Sequence, residues 1–318
     1  MSAAIGRTLR VRMRPHAARH PVAGFLIIVF AIAYPVMGLI ALAIHGVIPG
    51  AALLDQLPVP PDDVAGLLLT LGALVPAALY VTWAAEGRPG LISLLRRITR
   101  WRFGLRWWLV VVVALPALTV GLGLLLGDSL RPVEPLTVLA DQLPLLLINL
   151  VLVNLWEETA WAGVMQTGLE HRHNLFVAAA VTAIPFGLAH WPLAWIEPTA
   201  TPTSVLLAPL AYIVLGLLVR PLFGLTLRGT GNSLLAVAVT HSIVNRTQNP
   251  NGIAADLLDG QGYQLGFVIA LLVLTGLLAI CLRHRLSPTD RPGLDAVIHD
   301  HRSSTADATA AAATHGND

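Results

Sequence analysis

Apolar runs long enough to cross a lipid bilayer constrain this chain more than any other feature of its sequence. A transmembrane helix needs about 20 consecutive apolar residues to cross roughly 30 Å of hydrocarbon. Seven runs approach or exceed that length, and a shorter one covers 233–245. The seven longer runs are 21–44, 64–86, 107–127, 145–169, 175–195, 205–224 and 265–282. Because helices satisfy their own backbone groups in lipid, the sequence predicts an all-α polytopic membrane bundle of about eight transmembrane helices.

The composition supports a membrane protein. Charged residues make up 12% of the 318 residues, whereas soluble domains have about 25%, so most of this chain is expected to lie in the lipid bilayer. The single cysteine, Cys281, excludes a disulfide framework and a cysteine metal cluster. All 20 basic residues are arginine, which favours a GC-rich, bacterial source.

The distribution of arginine predicts the orientation in the membrane. Arginines crowd the N-terminal segment and the second loop, whereas the first loop carries acids alone. Cytoplasmic loops of membrane proteins are enriched in arginine and lysine. We therefore expect a plasma-membrane protein with both termini in the cytoplasm. The arginines of 88–106 lie between two spans among tryptophans, so their expected partner is lipid and not nucleic acid.

Four ionisable residues are embedded within apolar runs: Glu157, Glu158, His190 and His241. A charge at the bilayer centre costs about 2.5–3.5 kcal/mol on insertion scales. That cost is bearable where such groups face a polar interior and find partners. The sequence therefore predicts that these residues, from three different helices, converge on one intramembrane site.

The spacing of these residues fits a shared site. His190 follows Phe186 by four residues, as Asn245 follows His241, so each pair lies on one helix face. The adjacent glutamates are about 100° apart around their helix, so one can face a reacting centre while the other faces a supporting partner. The alternative for each histidine is an interhelical hydrogen bond without chemistry.

Three motifs carry a family resemblance. In chain order they are Glu157-Glu158, Phe186-x-x-x-His190 and His241-x-x-x-Asn245. This set resembles the CPBP family, the CAAX protease and bacteriocin-processing (abortive-infection-type) intramembrane endopeptidases, whose motifs are EExxxR, FxxxH and HxxxN/D. The family includes the type II CAAX prenyl endopeptidase. The resemblance covers residues 145–248, about a third of the chain.

The resemblance implies an endopeptidase with an intramembrane catalytic cavity. Glu157 and His190 would hold and deprotonate a water molecule, and His241 and Asn245 would donate hydrogen bonds to the oxyanion. Glu158 would orient one of the two histidines. The expected substrate is a membrane-anchored or CAAX-like protein or peptide.

Hydropathy, charge and composition, together with the resemblance for the core, predict a division of the chain. The expected parts are a cytoplasmic arginine-rich N-terminus at 1–20, N-terminal transmembrane helices at 21–144, a catalytic core at 145–248, a C-terminal transmembrane helix at 249–286 and a disordered tail at 287–318.

One position departs from the family pattern. Ala162 stands where the first motif has arginine, and Arg172 or Arg220 could take its place. A catalytically weak or inactive relative that binds a peptide or partner is therefore an alternative, and a proton-coupled transporter is another.

The sequence leaves the cofactor open. Two histidines and a glutamate match a catalytic zinc site with an open fourth position. The chain has no HExxH motif, and a glutamate mechanism requires no metal, so zinc is a possible cofactor and not a required one.

Overall fold

The computed structural model describes residues 15, 17–54, 56, 60–197 and 199–286. Eight helices of 15 residues or more, labelled α1 to α8, form the described part of the chain. They are α1 (Pro21–Ile44), α2 (Pro61–Ile98), α3 (Leu105–Leu125), α4 (Pro135–Glu170), α5 (Leu175–His190), α6 (Pro202–Gly229), α7 (Leu234–Gln248) and α8 (Gly262–Cys281).

The polytopic helical bundle predicted from the sequence is confirmed. Seven helical segments in the described ranges are long and apolar enough to cross a membrane, and one of them, Leu175–Ile196, joins α5 to the short helix that follows it. The remaining helix, α7, has 15 residues and is shorter than a typical membrane span. The number of about eight transmembrane helices therefore stays a prediction. The predicted tail at 287–318 and most of the predicted N-terminus at 1–20 lie outside the described residues.

Short elements complete the described structure. Strands β1 (Ser129–Leu130) and β2 (Leu258–Asp259) pair antiparallel, a small addition to the predicted all-α architecture. Beside them, the Asp128 carboxylate accepts hydrogen bonds from the first backbone N–H groups of α8. The short helices are Ala51–Leu54, Leu193–Ile196 and Ile253–Leu257, and Arg283–Arg285 forms a 3-10 turn.

Side-chain caps begin three successive helices. Asn174 accepts a hydrogen bond from the third residue of α5, and Ser233 accepts one from the third residue of α7. Thr201 and Ser204 form a reciprocal capping box at the start of α6. Such caps satisfy backbone N–H groups that have no partner within the helix. They define the first turns of the three helices that follow α4.

Gly87 divides α2 into two arms. Its backbone (φ 66°, ψ −153°) is not helical, and glycine adopts this conformation without the steric cost of a side chain. The break matches the predicted end of the second span at 86. In the second arm, Arg97 donates to the carbonyl of Gly163 (3.1 Å). Arg100 donates to the carbonyl of Gly231 (2.6 Å), so the arm is tied to α4 and to the turn before α7.

Two π-helical stretches interrupt α4. They lie at Leu150–Asn154 and Trp161–Gln166, on either side of the α-helical segment Leu155–Ala160. A π-helical turn contains one more residue than an α-helical turn and often occurs at functional sites. The adjacent glutamates therefore lie in a short α-helical segment between two irregular stretches.

A hydrophobic core joins α1, α2, α4 and α5 beside the glutamates. Trp161 is fully buried at its centre. The Trp161 ring makes edge contacts with Phe25 (5.5 Å between centroids) and Phe186 (5.7 Å). Phe186, which belongs to the second sequence motif, thus anchors α5 against α4.

Candidate active site

The four ionisable residues predicted to converge do lie together. Nε2 of His190 is 3.5 Å from Oε1 of Glu157. Nδ1 of His241 is 3.0 Å from Oε1 of Glu158 and 3.9 Å from Oε2 of Glu157. Helices α4, α5 and α7 thus bring two carboxylates and two imidazoles into contact.

Glu157 is buried between α2 and α5. Its side chain is 7% exposed, and its Oε1 accepts a hydrogen bond from Oγ1 of Thr70 (3.4 Å). Thr70 is fully buried on α2. The sequence analysis did not identify Thr70, because a threonine in an apolar span carries no signal of a distant partner.

His190 is oriented by its own helix. Its Nδ1 lies 2.8 Å from the carbonyl oxygen of Phe186. A carbonyl oxygen can only accept, so Nδ1 carries the hydrogen of this bond and Nε2 is the nitrogen that faces Glu157. The four-residue spacing of the second motif therefore has a main-chain role that the sequence analysis did not anticipate.

Glu158 binds a fully buried arginine from α6. Nη1 of Arg220 donates to both carboxylate oxygens, at 3.0 and 2.8 Å. Nε and Nη2 of the same guanidinium donate to Oε1 of Gln166, at 3.2 and 2.8 Å. Glu158, Gln166 and Arg220 have no exposed surface. Such a charge-assisted network is stable in the interior because each charged group has several partners.

The sequence offered Arg172 and Arg220 as substitutes for the arginine that the family motif has at the position of Ala162. In the structure, Arg220 is the one that binds Glu158. Arg172 is exposed in the turn after α4. Ala162 is fully buried. The sequence did not predict a role for Gln166, because nothing around a single glutamine indicates that its partner is an arginine 54 residues further along the chain.

His241 is held by Glu158. Nδ1 of His241 is 3.0 Å from the carboxylate, and the imidazole packs on the ring of Phe223 (5.1 Å between centroids). An ionised carboxylate only accepts, so Nδ1 donates in this bond. The sequence left open which histidine Glu158 contacts, and the hydrogen bond is to His241.

Asn245 extends the site along α7. Its Nδ2 lies 3.5 Å from Oδ1 of Asn154 on α4. Nδ2 of Asn154 donates to Oγ of Ser242 (2.8 Å). Asn245 is partly exposed, whereas Asn154 and Ser242 are fully buried. These amides join α4 to α7 one turn from the glutamates and from His241.

The residues of the site do not fit a zinc ion in this arrangement. Within the described ranges, no three His, Cys, Asp or Glu side chains are placed to hold a metal. Arg220 occupies both oxygens of Glu158, and His241 binds Glu158 through Nδ1. The nearby guanidinium also repels a cation.

A cavity of about 380 Å³ is lined in part by Tyr212. The Tyr212 ring is 5.9 Å from the ring of His190. The cavity is lined by Asp62, Leu193, Ala194, Glu197, Ala200, Ser204, Ala208 and Tyr212. Tyr212 therefore lines the cavity and also packs near His190.

Residues 139–247 match the family model "Type II CAAX prenyl endopeptidase Rce1-like". The match contains all five candidate residues and confirms the resemblance found in the sequence. No curated protein matches the chain. The family match supports a CAAX-type intramembrane protease in general, and the seven apolar helices support an integral membrane protein.

Proposed function

We propose that this protein is an intramembrane endopeptidase that hydrolyses peptide bonds of a membrane-associated or CAAX-like protein or peptide. The observation that carries the proposal is the buried pair of Glu157 and His190, in which Nε2 and Oε1 are 3.5 Å apart. A carboxylate and an imidazole that face each other can share the protons of one water molecule.

Glu157 is the general base of the proposed reaction. It takes a proton from a water molecule that Nε2 of His190 helps to hold, and the water oxygen bonds to the scissile carbonyl carbon. The tetrahedral intermediate then expels the amine as the C–N bond breaks, and Glu157 returns its proton to the leaving nitrogen. The products are a carboxylate and an amine, without a covalent enzyme intermediate.

His241 and Asn245 stabilise the developing oxyanion in this proposal. With Nδ1 bonded to Glu158 at 3.0 Å, His241 in its protonated form has Nε2–H for donation. Glu158 stabilises that imidazolium ion. Each donor to an oxyanion contributes about 2.7–4 kcal/mol of transition-state stabilisation.

The cavity beside Tyr212 supports access of a peptide to the site. Its volume of about 380 Å³ is enough for one or two side chains. Its rim carries two carboxylic acids, Asp62 and Glu197. We propose that a substrate segment occupies this cavity while its peptide bond lies at His190.

The contact of Arg220 with Glu158 bears on the alternative of an inactive relative. That alternative rested on Ala162, which deprives α4 of an arginine. Because Arg220 on α6 provides a guanidinium at Glu158, we propose that the protein is catalytically active.

The proposal is tested with detergent-purified protein incubated with a membrane proteome and, separately, with a farnesylated CAAX-box peptide. Mass spectrometry then identifies new peptide ends. We expect the wild type to generate new ends and Glu157→Gln, which keeps the shape of the side chain, to generate none. Glu134→Gln is the matched control, because Glu134 is exposed at the N-terminal end of α4, away from the glutamates of the site.

Identical new ends from wild type and Glu157→Gln would refute the proposed base. Repeating the assay after chelation, with elemental analysis of the purified protein, tests the zinc alternative. We expect activity to survive chelation.

A further inference from the structure

The glutamates of the candidate site create an electrostatic problem. Glu157 and Glu158 are adjacent in the chain, and their side chains are 7% and 0% exposed. Two neighbouring buried carboxylates repel each other, and burial disfavours both charges. They can be ionised together only where positive charge lies in contact with them.

The charged and titratable groups that meet these carboxylates come from three helices. Glu158 contacts Arg220 of α6 and His241 of α7. Glu157 contacts His190 of α5 and, at 3.9 Å, His241. An arginine is charged at every pH of interest, whereas each histidine is charged only when it has bound a proton. Arg220 therefore provides the permanent positive charge of the cluster.

The geometry around Arg220 is suited to this role. The guanidinium is fully buried, and two of its nitrogens are held by Gln166, which leaves Nη1 directed at both oxygens of Glu158. The rings of Phe223 (5.4 Å) and Phe186 (5.9 Å) lie against it.

We propose that Arg220 is a positioning residue that keeps both glutamates ionised near neutral pH, with Glu158 bound to His241 and Glu157 available as the base. The inference rests on the proposed function for its catalytic meaning. The charge balance that it describes can be measured without a substrate.

A second arginine on α6 provides a control for the possibility that Arg220 only attaches α6 to α4. Arg228 lies two turns after Arg220 and binds Glu170, at the end of α4, at 2.7 Å. Both arginines therefore join α6 to α4 through a glutamate. Arg220 alone of the two contacts the carboxylates of the site, whereas Glu170 also accepts a hydrogen bond from Nε2 of Gln166 (3.4 Å). Arg228, and not Glu170, is therefore the position for the control variant.

The inference is tested by NMR titration of protein labelled with 13C at the side-chain carboxyl of glutamate in detergent micelles. The carboxyl signals of Glu157 and Glu158 are assigned from their absence in Glu157→Gln and Glu158→Gln. Loss of the permanent positive charge makes the cluster bind a further proton more readily. In Arg220→Gln we expect at least one of these two carboxyls to carry a proton at pH 7, whereas both are ionised in the wild type.

Two further variants complete the experiment. Arg220→Lys retains the charge and is expected to titrate close to the wild type. Arg228→Gln is also expected to titrate like the wild type. An Arg220→Gln protein that is folded, by size-exclusion chromatography and thermal unfolding, and titrates like wild type overturns the inference. So does a lysine variant that titrates like the glutamine variant, or an Arg228→Gln variant that shifts equally.

If Arg220→Gln does not fold, the double variant Glu158→Gln/Arg220→Gln replaces it. The double variant has one carboxylate in the cluster in place of two, so the inference expects it to fold without Arg220. A double variant that also fails to fold overturns the inference. Because no substrate is required, a wild type that cleaves nothing refutes the proposed function and leaves this test intact.

Discussion

At the scale of residues, hydrogen bonds on one side of each imidazole determine what its other side can do. Nδ1 of His190 is bonded to a backbone carbonyl, and Nδ1 of His241 is bonded to Glu158. Fixing one nitrogen orients the ring and selects which nitrogen remains for chemistry. The two imidazole rings are thus oriented by different partners: His190 by the backbone of its own helix and His241 by a carboxylate.

Thr70 is expected to orient the base. In Thr70→Val the shape is kept but the donor to Oε1 of Glu157 is lost. We expect kcat for a substrate found in the proteome experiment to fall about tenfold, near the lower end for a lost hydrogen bond to a charged group because the contact is long. KM is expected to change little, because Thr70 has no proposed contact with substrate.

Thr82→Val is the control for this prediction. Thr82 is also a buried threonine on α2, and it lies about three turns beyond Thr70. Thr70→Ser restores a hydroxyl and should recover most of the rate. Equal rates for wild type and Thr70→Val would show that the 3.4 Å contact has no role in catalysis.

At the scale of elements, the irregular part of α4 depends on the second arm of α2. The π-helical stretch Trp161–Gln166 follows the glutamates, and its carbonyl at Gly163 accepts from Arg97. Arg97 also donates to Oγ1 of Thr167 (3.4 Å), so one side chain spans the end of this stretch. The arm after Gly87 thereby supports the helix that carries the glutamates.

Replacing Arg97 by leucine is expected to destabilise the protein. The substitution leaves the carbonyl of Gly163 without its donor, and the free energy of unfolding should fall by about 1–3 kcal/mol. Thermal unfolding in detergent measures this loss. Arg96→Leu, at the exposed neighbouring arginine, is the control and should be nearly neutral. Similar unfolding temperatures for both variants would contradict the proposed attachment.

At the scale of the whole molecule, the arginine distribution predicts which ends of the helices face the cytoplasm. Connections after α2 and α4 carry arginine, whereas acids and no arginine lie between the end of α1 and the first turn of α2. The cavity beside Tyr212 lies at the opposite end from those arginines, near the starts of α2 and α6. With cytoplasmic termini, the cavity would open towards the outer face.

Cysteine labelling tests this orientation. In a Cys281→Ser background, Val47→Cys and His173→Cys each introduce one exposed thiol, on opposite sides of the predicted topology. A membrane-impermeant maleimide should label Val47→Cys in intact spheroplasts and His173→Cys only after permeabilisation. The reverse pattern would place the arginine-rich connections outside and refute cytoplasmic termini.

Hydrophobic runs predict several helix boundaries directly, but they do not predict where α4 begins. The fourth run was predicted to begin at 145, whereas the helix begins at Pro135. Asp141, Gln142 and Pro144 interrupt the apolar pattern of its first turns. Gln142 is buried because it binds Arg246 and Asp256. A partner of this kind is invisible to a hydropathy pattern.

The sequence by itself determined that the chain forms membrane helices and that its embedded acids and histidines must meet. The physical reason is that lipid offers no hydrogen bonds, so backbone and ionisable groups must find partners within the protein. Only the tertiary structure decided which partners they find. Arg220 reaches Glu158 across 62 residues, and Thr70 reaches Glu157 across 87. Such contacts depend on how each helix is rotated and packed against its neighbours, and no local pattern of residues contains that information.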